Sequence, residues 1–192
     1  MEIPMRSTLL RSLLVLCALA PALGHADDAL WSLLRAGGQV VLLRHDSTEP
    51  GVGDPAGMKL DDCSTQRNLS EPGRAHARRL GDVLRSRAIP VAGLQASPWC
   101  RCLETARLVF GRSGEVEPAL GNLFGRHAQE APQVARLRQV VQRAPERGNL
   151  FLVTHGSTVL ALTGVSPAMG EMVVLTPQPA GGFRVAGRLA TP

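Results

Sequence analysis

Val40-Val41-Leu42-Leu43 narrows the folds open to this chain more than any other stretch. The run is unbroken in its apolar character and two of its members are β-branched. It therefore lacks the in-out alternation of a half-exposed strand and reads as a strand buried on both faces. Asn149 to Thr154, with Leu150-Phe151-Leu152-Val153 at its centre, repeats the pattern. Such strands need cover above and below, and the sequence supplies it in amphipathic segments between them. Strands alternating with helices predict one domain with a mostly parallel sheet in a three-layer α/β/α sandwich. In an open α/β sheet ligands bind just outside the carboxyl ends of the strands, and the first strand runs directly into Arg44-His45.

The remaining elements follow from periodicity and punctuation. A short helix is predicted over Asp27–Ala36, with Ala29, Leu30, Leu33 and Leu34 on one face and Gly37-Gly38 as its stop. Residues 46 to 68 read as loop. Gly51-Val52-Gly53-Asp54-Pro55-Ala56-Gly57 lacks the spacing of a dinucleotide fingerprint and is treated as plain loop. Ser70 caps a helix to about Arg87, Val91–Ala96 is a second strand, and Ser97-Pro98 caps a helix through Phe110. A third strand is predicted over Glu115–Leu120, a loop over 121–131, and a helix opening at Pro132. After Thr154 come a short helix and a hairpin of Met172–Leu175 with Phe183–Leu189 across Gly181-Gly182.

The first 26 residues read as a secretory signal peptide. Arg6 and Arg11 flank an apolar stretch from Leu9 to Leu23, and Gly24-His25-Ala26 supplies small residues before Asp27-Asp28. The stretch is short for a membrane span, and Leu16 before Cys17 is not the small residue a lipidation site wants. The expected mature chain, 27–192, is exported to the periplasm or secreted, with no stable membrane insertion. Losing Arg6, Arg11 and Glu2 leaves 19 basic and 15 acidic residues, a net +4. Nearly all the positive charge is arginine, since Lys59 is the single lysine, and arginine's planar fork suits phosphate. Nucleic acid is not an expected partner: basic runs are absent, tyrosine is absent and aromatics make up 3%. Export favours a disulfide. Cys100 and Cys102 are too close to bridge each other, so Cys63 pairs with one of them; Cys100 is preferred and Cys102 stays open. A metal site on the three sulfurs is disfavoured by the Cys-x-Cys spacing.

Three predicted strands end in chemistry-bearing residues: Arg44-His45, Ser97 followed by Arg101, and His155-Gly156. Two arginines and two histidines at one sheet edge suit phosphoryl transfer to an imidazole, with the other three groups offsetting charge on the phosphate oxygens. The order of motifs resembles the histidine phosphatase superfamily, with its phosphoglycerate-mutase-like fold. Arg44-His45-Asp46-Ser47-Thr48 is similar to the family's Arg-His-Gly-x-Ser/Thr signature, and Leu69-Ser70-Glu71-Pro72-Gly73 to its Leu-Ser/Thr-x-x-Gly stretch. Ser97 through Ala106 is similar to Ser-x-x-x-Arg-x-x-x-Thr-Ala, and His155-Gly156 to the second His-Gly. The runs Asp62–Ser70 and Gly170-Glu171-Met172 resemble a small exported branch, the lipopolysaccharide core heptose-phosphate phosphatases. The resemblance implies His45 as nucleophile, Arg44, Arg101 and His155 as its phosphate pocket, and Thr48, Arg67 and Gly156 as substrate contacts. It implies no metal and no organic cofactor. The expected substrate is a small or surface-linked phosphate ester.

Two positions depart from the family pattern. Asp46 stands where the signature has glycine, and Asn122 stands where many members carry a glutamate acid. Asn donates no proton as a general acid, so Glu171 or Asp46 is the candidate donor, or the leaving group needs little help. Alternatives to the monoesterase reading are a phosphohistidine or phosphoprotein phosphatase, and a non-catalytic phosphate- or glycan-binding protein of the same fold. His76 is expected at the surface of its helix and His127 in a loop near substrate. Trp31 and Trp99 are expected to serve packing.

Overall fold

The computed structural model describes residues 22–143 and 145–190, with side chains from residue 27. Most of the predicted signal peptide lies outside the described residues. The first helix, α1 (Ala22–Ala36), reaches back beyond the expected Asp27 start. Then follow β1 (Val40–Arg44), α2 (Glu71–Ser86), β2 (Val91–Ala96), α3 (Cys100–Phe110) and β3 (Glu115–Val116). The chain continues through α4 (His127–Val141), β4 (Asn149–Thr154), α5 (Gly156–Thr163), β5 (Met172–Pro177) and β6 (Phe183–Leu189).

The six strands form one sheet in the order β3-β2-β4-β1-β5-β6. β1 to β4 run parallel, while β5 and β6 add an antiparallel edge closed by the turn around Gly181-Gly182. Val41, Leu43, Phe151, Val153, Met172 and Val174 point to the face covered by α1, α2 and α3. Val40, Leu42, Leu152, Val173 and Leu175 point to the other, covered by α4 and α5. This two-sided burial explains why β1 and β4 show no alternation. The architecture is the expected α/β phosphoglycerate-mutase-like sandwich.

Three boundaries differ from the sequence reading. The third strand stops after two residues because Pro118 has no N–H to continue the ladder. Pro118–Leu120 instead forms a 3-10 turn under the Glu117 side chain, which accepts from Ala119 N–H. Helix α4 begins at His127, five residues before Pro132. Pro132 is the sixth residue of the helix, past the first turn, so its missing N–H leaves Ala128 O without its helical donor. Helix α3 takes Trp99 as its N-cap residue, not Ser97, whose hydroxyl is used elsewhere. By contrast Ser70 caps α2 as expected, accepting from Gly73 N–H. Gly73 itself is required there: a Cβ would come within 2.1 Å of Ser47 O, so only glycine lets the first turn of α2 rest on the segment following His45.

The 46–68 segment is tied to the start of α3 by a Cys63–Cys100 disulfide with Cα atoms 5.7 Å apart. Gln66 reinforces the tie, its side-chain oxygen accepting from Cys100 N–H at 2.9 Å. Cys102 is left as a free, buried thiol, raised to about 12 by burial. In the chain-entropy account, closing a loop of this length stabilises the fold by about 4 kcal/mol. Reduction, or Cys63→Ser, should therefore lower the urea midpoint by that equivalent. A midpoint insensitive to dithiothreitol would contradict it.

Candidate active site

The site is built where three parallel strands end side by side. His45 N–H donates to Thr154 O at 2.9 Å and Ser97 N–H donates to Val153 O at 2.9 Å, so both extend the ladder on either side of β4. β4 itself ends in His155, which opens α5. The sheet order thus gathers three segments that lie more than 50 residues apart in pairs.

His45 is 4% exposed. Its Nδ1 lies 2.8 Å from Asp46 O, and since a carbonyl only accepts, Nδ1 carries the proton. That tautomer leaves the Nε2 lone pair as the reactive atom. Burial, and then the charges of Arg101, Arg44 and Arg67, push the imidazole down to about 3 against the one opposing Asp46 contact. His45 is therefore neutral at neutral pH, as a nucleophile must be. His155 packs edge-on against it, ring centroids 5.2 Å apart. Its Nδ1 faces Arg101 Nη2 at 3.5 Å and its Nε2 meets Ser97 Oγ at 2.8 Å. An arginine only donates, so Nδ1 accepts and the Nε2–H donates to the serine. Burial and the neighbouring His45 and arginines hold His155 well below its ordinary pKa as well.

Three arginines converge here. Arg44 sits at the end of β1 and donates from Nη1 to Pro167 O at 2.7 Å. Gly156 makes room for it, since a Cβ there would press on the guanidinium at 3.0 Å. Arg101 is 2% exposed in the first turn of α3. Arg67 comes from the disulfide-tied segment and donates from Nη1 to Gly51 O. Burial lowers the pKa of Arg44 and Arg67, and Arg67 and Arg101 respectively add like charge. The Nε–H groups of Arg44, Arg67 and Arg101 are all buried with no hydrogen-bond partner. Buried N–H donors without partners are rare, and three on positively charged side chains beside one histidine mark an anion site. Thr48 lies on the segment after His45 and pairs with Leu69 as an isolated bridge; the structure gives its hydroxyl no contact with the pocket.

Both candidate proton donors, Glu171 and Asp46, are engaged by other side chains. Glu171 is locked by Arg188, Nε and Nη2 each 2.7 Å from its oxygens, and accepts from Ala168 N–H at 2.6 Å. The Arg188 bonds hold its carboxyl below the ordinary value. The Asp46 carboxylate is 2.5 Å from His76 Nδ1 and accepts from Ser47 N–H at 2.7 Å, buried between α2 and the β1 segment. His76 is accordingly the partner of Asp46, not a surface residue, and its side chain is 19% exposed. Asn122 pins a loop to α5, its side-chain oxygen accepting from Ser157 Oγ at 2.9 Å and Phe124 N–H at 3.1 Å. His127 lies exposed at the start of α4. Trp31 and Trp99 are buried as packing residues, and Trp99 also lies edge-on to His155 at 5.1 Å with Arg126 over its ring.

Asp54 was not legible. It lies in the glycine-rich stretch read as plain loop, yet its oxygens are 2.6 and 3.1 Å from Arg101 Nη1 and Nη2. Trp99 Nε1–H donates to it at 3.0 Å and Arg67 N–H at 3.3 Å. Burial raises its carboxyl, but the bonds and charge of Arg101 outweigh that and hold it below the ordinary value. An Asp beside glycines is commonplace in turns, so no local signal separates this one. A cavity of about 400 Å³ opens beside it, lined by Glu49, Gly51, Asp54, Gln66, Arg67 and Asn68. Among the described residues no group of His, Cys, Asp and Glu side chains gathers to hold a metal ion.

A buried neutral imidazole among unpartnered guanidinium groups, at the strand ends of an α/β sheet, defines a hydrolase of the phosphatase class. Residues 40–130, just under half of the chain, match the model of the histidine phosphatase superfamily, branch 1. Solved structures share the fold. One is the protein histidine phosphatase SixA complexed with tungstate, 18% identical with TM-score 0.52, covering 79% of this chain and 96% of that one. Another is a phosphoserine phosphatase of Entamoeba histolytica in complex with 3-phosphoglyceric acid, 13% identical with TM-score 0.57, covering 80% and 97%. A third is a mycobacterial glucosyl-3-phosphoglycerate phosphatase, 19% identical with TM-score 0.53, covering 78% and 97%. No curated protein matches the sequence.

Proposed function

We propose that this protein is an exported phosphatase that hydrolyses phosphate monoesters through a phosphohistidine on His45, with envelope sugar phosphates as its substrates. The observation that carries the chemistry is the set of three unpartnered guanidinium Nε–H groups around an imidazole whose Nδ1–H is already committed. The phosphate binds to the guanidinium groups, which offset the charge that builds on its oxygens. Nε2 of His45 attacks phosphorus and water later releases the phosphate. His155, held by Ser97, completes the wall of the pocket. Export is supported by the residue 1–26 pattern and by the Cys63–Cys100 disulfide, which suits an oxidising compartment. Among the described residues no helix is long and apolar enough to cross a membrane. The sugar-phosphate assignment rests on the resemblance of residues 62–70 and 170–172 to the exported branch and on the hydrogen-bonding side chains Glu49, Gln66 and Asn68 in the cavity wall.

A second reading, hydrolysis of phosphohistidine on proteins, draws on Asn122, which leaves the usual acid position without a proton donor.

The test is direct trapping. The protein is mixed with an aryl phosphate in EDTA, quenched in alkali and digested for mass spectrometry. The expected adduct is an acid-labile, alkali-stable phosphate on the peptide containing His45. Turnover with no such adduct, or with phosphate on another residue, overturns the reading. Comparing a sugar phosphate with a phosphohistidine peptide as substrate separates the two leaving-group classes.

A further inference from the structure

We propose that Asp54 is the acid–base group of the reaction, the role that Asn122, Asp46 and Glu171 do not fill. The proposal rests on the phosphohistidine route above and names the residue that moves its protons. Asp46 and Glu171 are paired with His76 and Arg188, which are not among the unpartnered donors of the anion site, and Asn122 has no proton to transfer. Asp54 differs from all three in place. It borders the cavity that Arg67 also lines, its side chain is 10% exposed, and it shares Arg101 with the anion site.

Its orientation is held from three directions: the Arg101 fork, the Trp99 indole N–H and the Arg67 backbone N–H. The disulfide at Cys100, the residue before Arg101, and the Arg67 bond to Gly51 O keep the segment carrying Asp54 on the pocket. Asp54 occupies Nη1 and Nη2 of Arg101 and leaves its buried Nε–H unpartnered. A substrate phosphate seated beside that guanidinium puts two anions on one cation. Two acidic groups sharing a site keep one proton between them, because both cannot ionise cheaply. The proton arrives on the substrate monoanion and passes to Asp54.

The steps balance. Nε2 of His45 bonds to phosphorus as the phosphorus–oxygen bond to the leaving group breaks, and the leaving oxygen takes the proton from Asp54. The Asp54 carboxylate then takes one proton from water, the water oxygen bonds to phosphorus, and the phosphorus–Nε2 bond breaks. The proton on Asp54 leaves with the phosphate product.

The experiment compares an alkyl phosphate with p-nitrophenyl phosphate, whose leaving group needs little protonation, in the wild-type chain and in Asp54→Asn. Asparagine keeps one acceptor oxygen, for Arg67 N–H or for Trp99 Nε1–H, and removes the transferable proton together with the charge facing Arg101, so the aryl-to-alkyl ratio and not the absolute rate is the readout. Both kcat/KM values fall, but the aryl-to-alkyl ratio rises by about 10²-fold or more, the usual size of general acid catalysis. An unchanged ratio means that Asp54 only braces Arg101 and overturns the proposal, as does a wild-type protein that hydrolyses the aryl ester alone. If Asp54→Asn does not fold, wild-type pH profiles decide: an alkaline limb with the alkyl ester and none with the aryl ester supports the role, and coincident profiles overturn it. Failure of the phosphohistidine reading is distinct, since it would show as His45-independent turnover of both esters.

Discussion

His45→Ala is expected to lower kcat/KM for an aryl phosphate by a factor on the order of 10⁴ or more, the scale seen when a covalent nucleophile is removed. Alanine deletes the one group whose lone pair is free and directed: Nδ1 is engaged with Asp46 O, so Nε2 has no substitute on the same ring. His155 is the nearest other imidazole, but its Nε2 is held by Ser97 and its Nδ1 by Arg101, and neither is released by the substitution. The Cys102 thiol lies 3.5 Å from His155 Nε2, yet burial raises it to about 12, so it offers no thiolate. Binding should survive, because Arg44, Arg67 and Arg101 remain with their unpartnered Nε–H groups. Calorimetric titration with inorganic phosphate should give similar affinity in both proteins while turnover disappears. Turnover that persists in His45→Ala would place the nucleophile elsewhere; binding that disappears with turnover would mean the substitution had collapsed the pocket.

The parts of this site that could be read in the sequence share one property: they sit at the ends of regular elements. Arg44-His45 and Thr154-His155 each follow an apolar strand, and Arg101 follows the Ser97-Pro98 break at a strand-to-helix junction. Strand burial and helix punctuation place such residues without knowledge of tertiary contacts. The same logic recovered the sandwich and the terminal hairpin. What escaped lies where contacts are long-range. Asp54 meets Arg101 across 47 positions and His76 meets Asp46 across 30, and neither pairing leaves a local trace. His76 falls on the half-buried side of α2, where a polar residue is indistinguishable from a solvated one until its partner is known. The Arg188 partner of Glu171 is hidden in the same way. The position of Glu171 next to β5 looked suitable, but Arg188 on the adjacent β6 neutralises it through the antiparallel register Val173↔Arg188, which only the folded hairpin defines.

The burial that makes His45 a nucleophile should also make the fold sensitive to acid. In the unfolded chain a histidine has its ordinary value of 6.5, whereas in the fold His45 is pushed down to about 3 and His155 well below 6.5. Between those values the unfolded chain binds protons that the folded chain refuses. Stability then rises with pH in this window and is lost as pH falls below 6.5. Each refused proton costs about 1.4 kcal/mol per pH unit, so His45 alone removes about 2.7 kcal/mol by pH 4.5, and His155 adds to the loss. The His45 share is a large part of the roughly 5–15 kcal/mol that stabilises a domain. Asp54 and Glu171 do not contribute to this slope: their folded pKa values are lowered, so their stabilisation is present above the ordinary carboxylate range and is lost only at still lower pH. Urea midpoints measured from pH 7 to pH 4.5 should fall steeply for the wild-type chain. In His45→Ala the slope should be shallower, whatever the variant's absolute stability, because the His45 proton is no longer refused. Parallel slopes would mean that His45 accepts a proton in the fold. It would then not be the neutral imidazole that attack on phosphorus requires, so the acid-stability slope tests the nucleophile independently of any substrate.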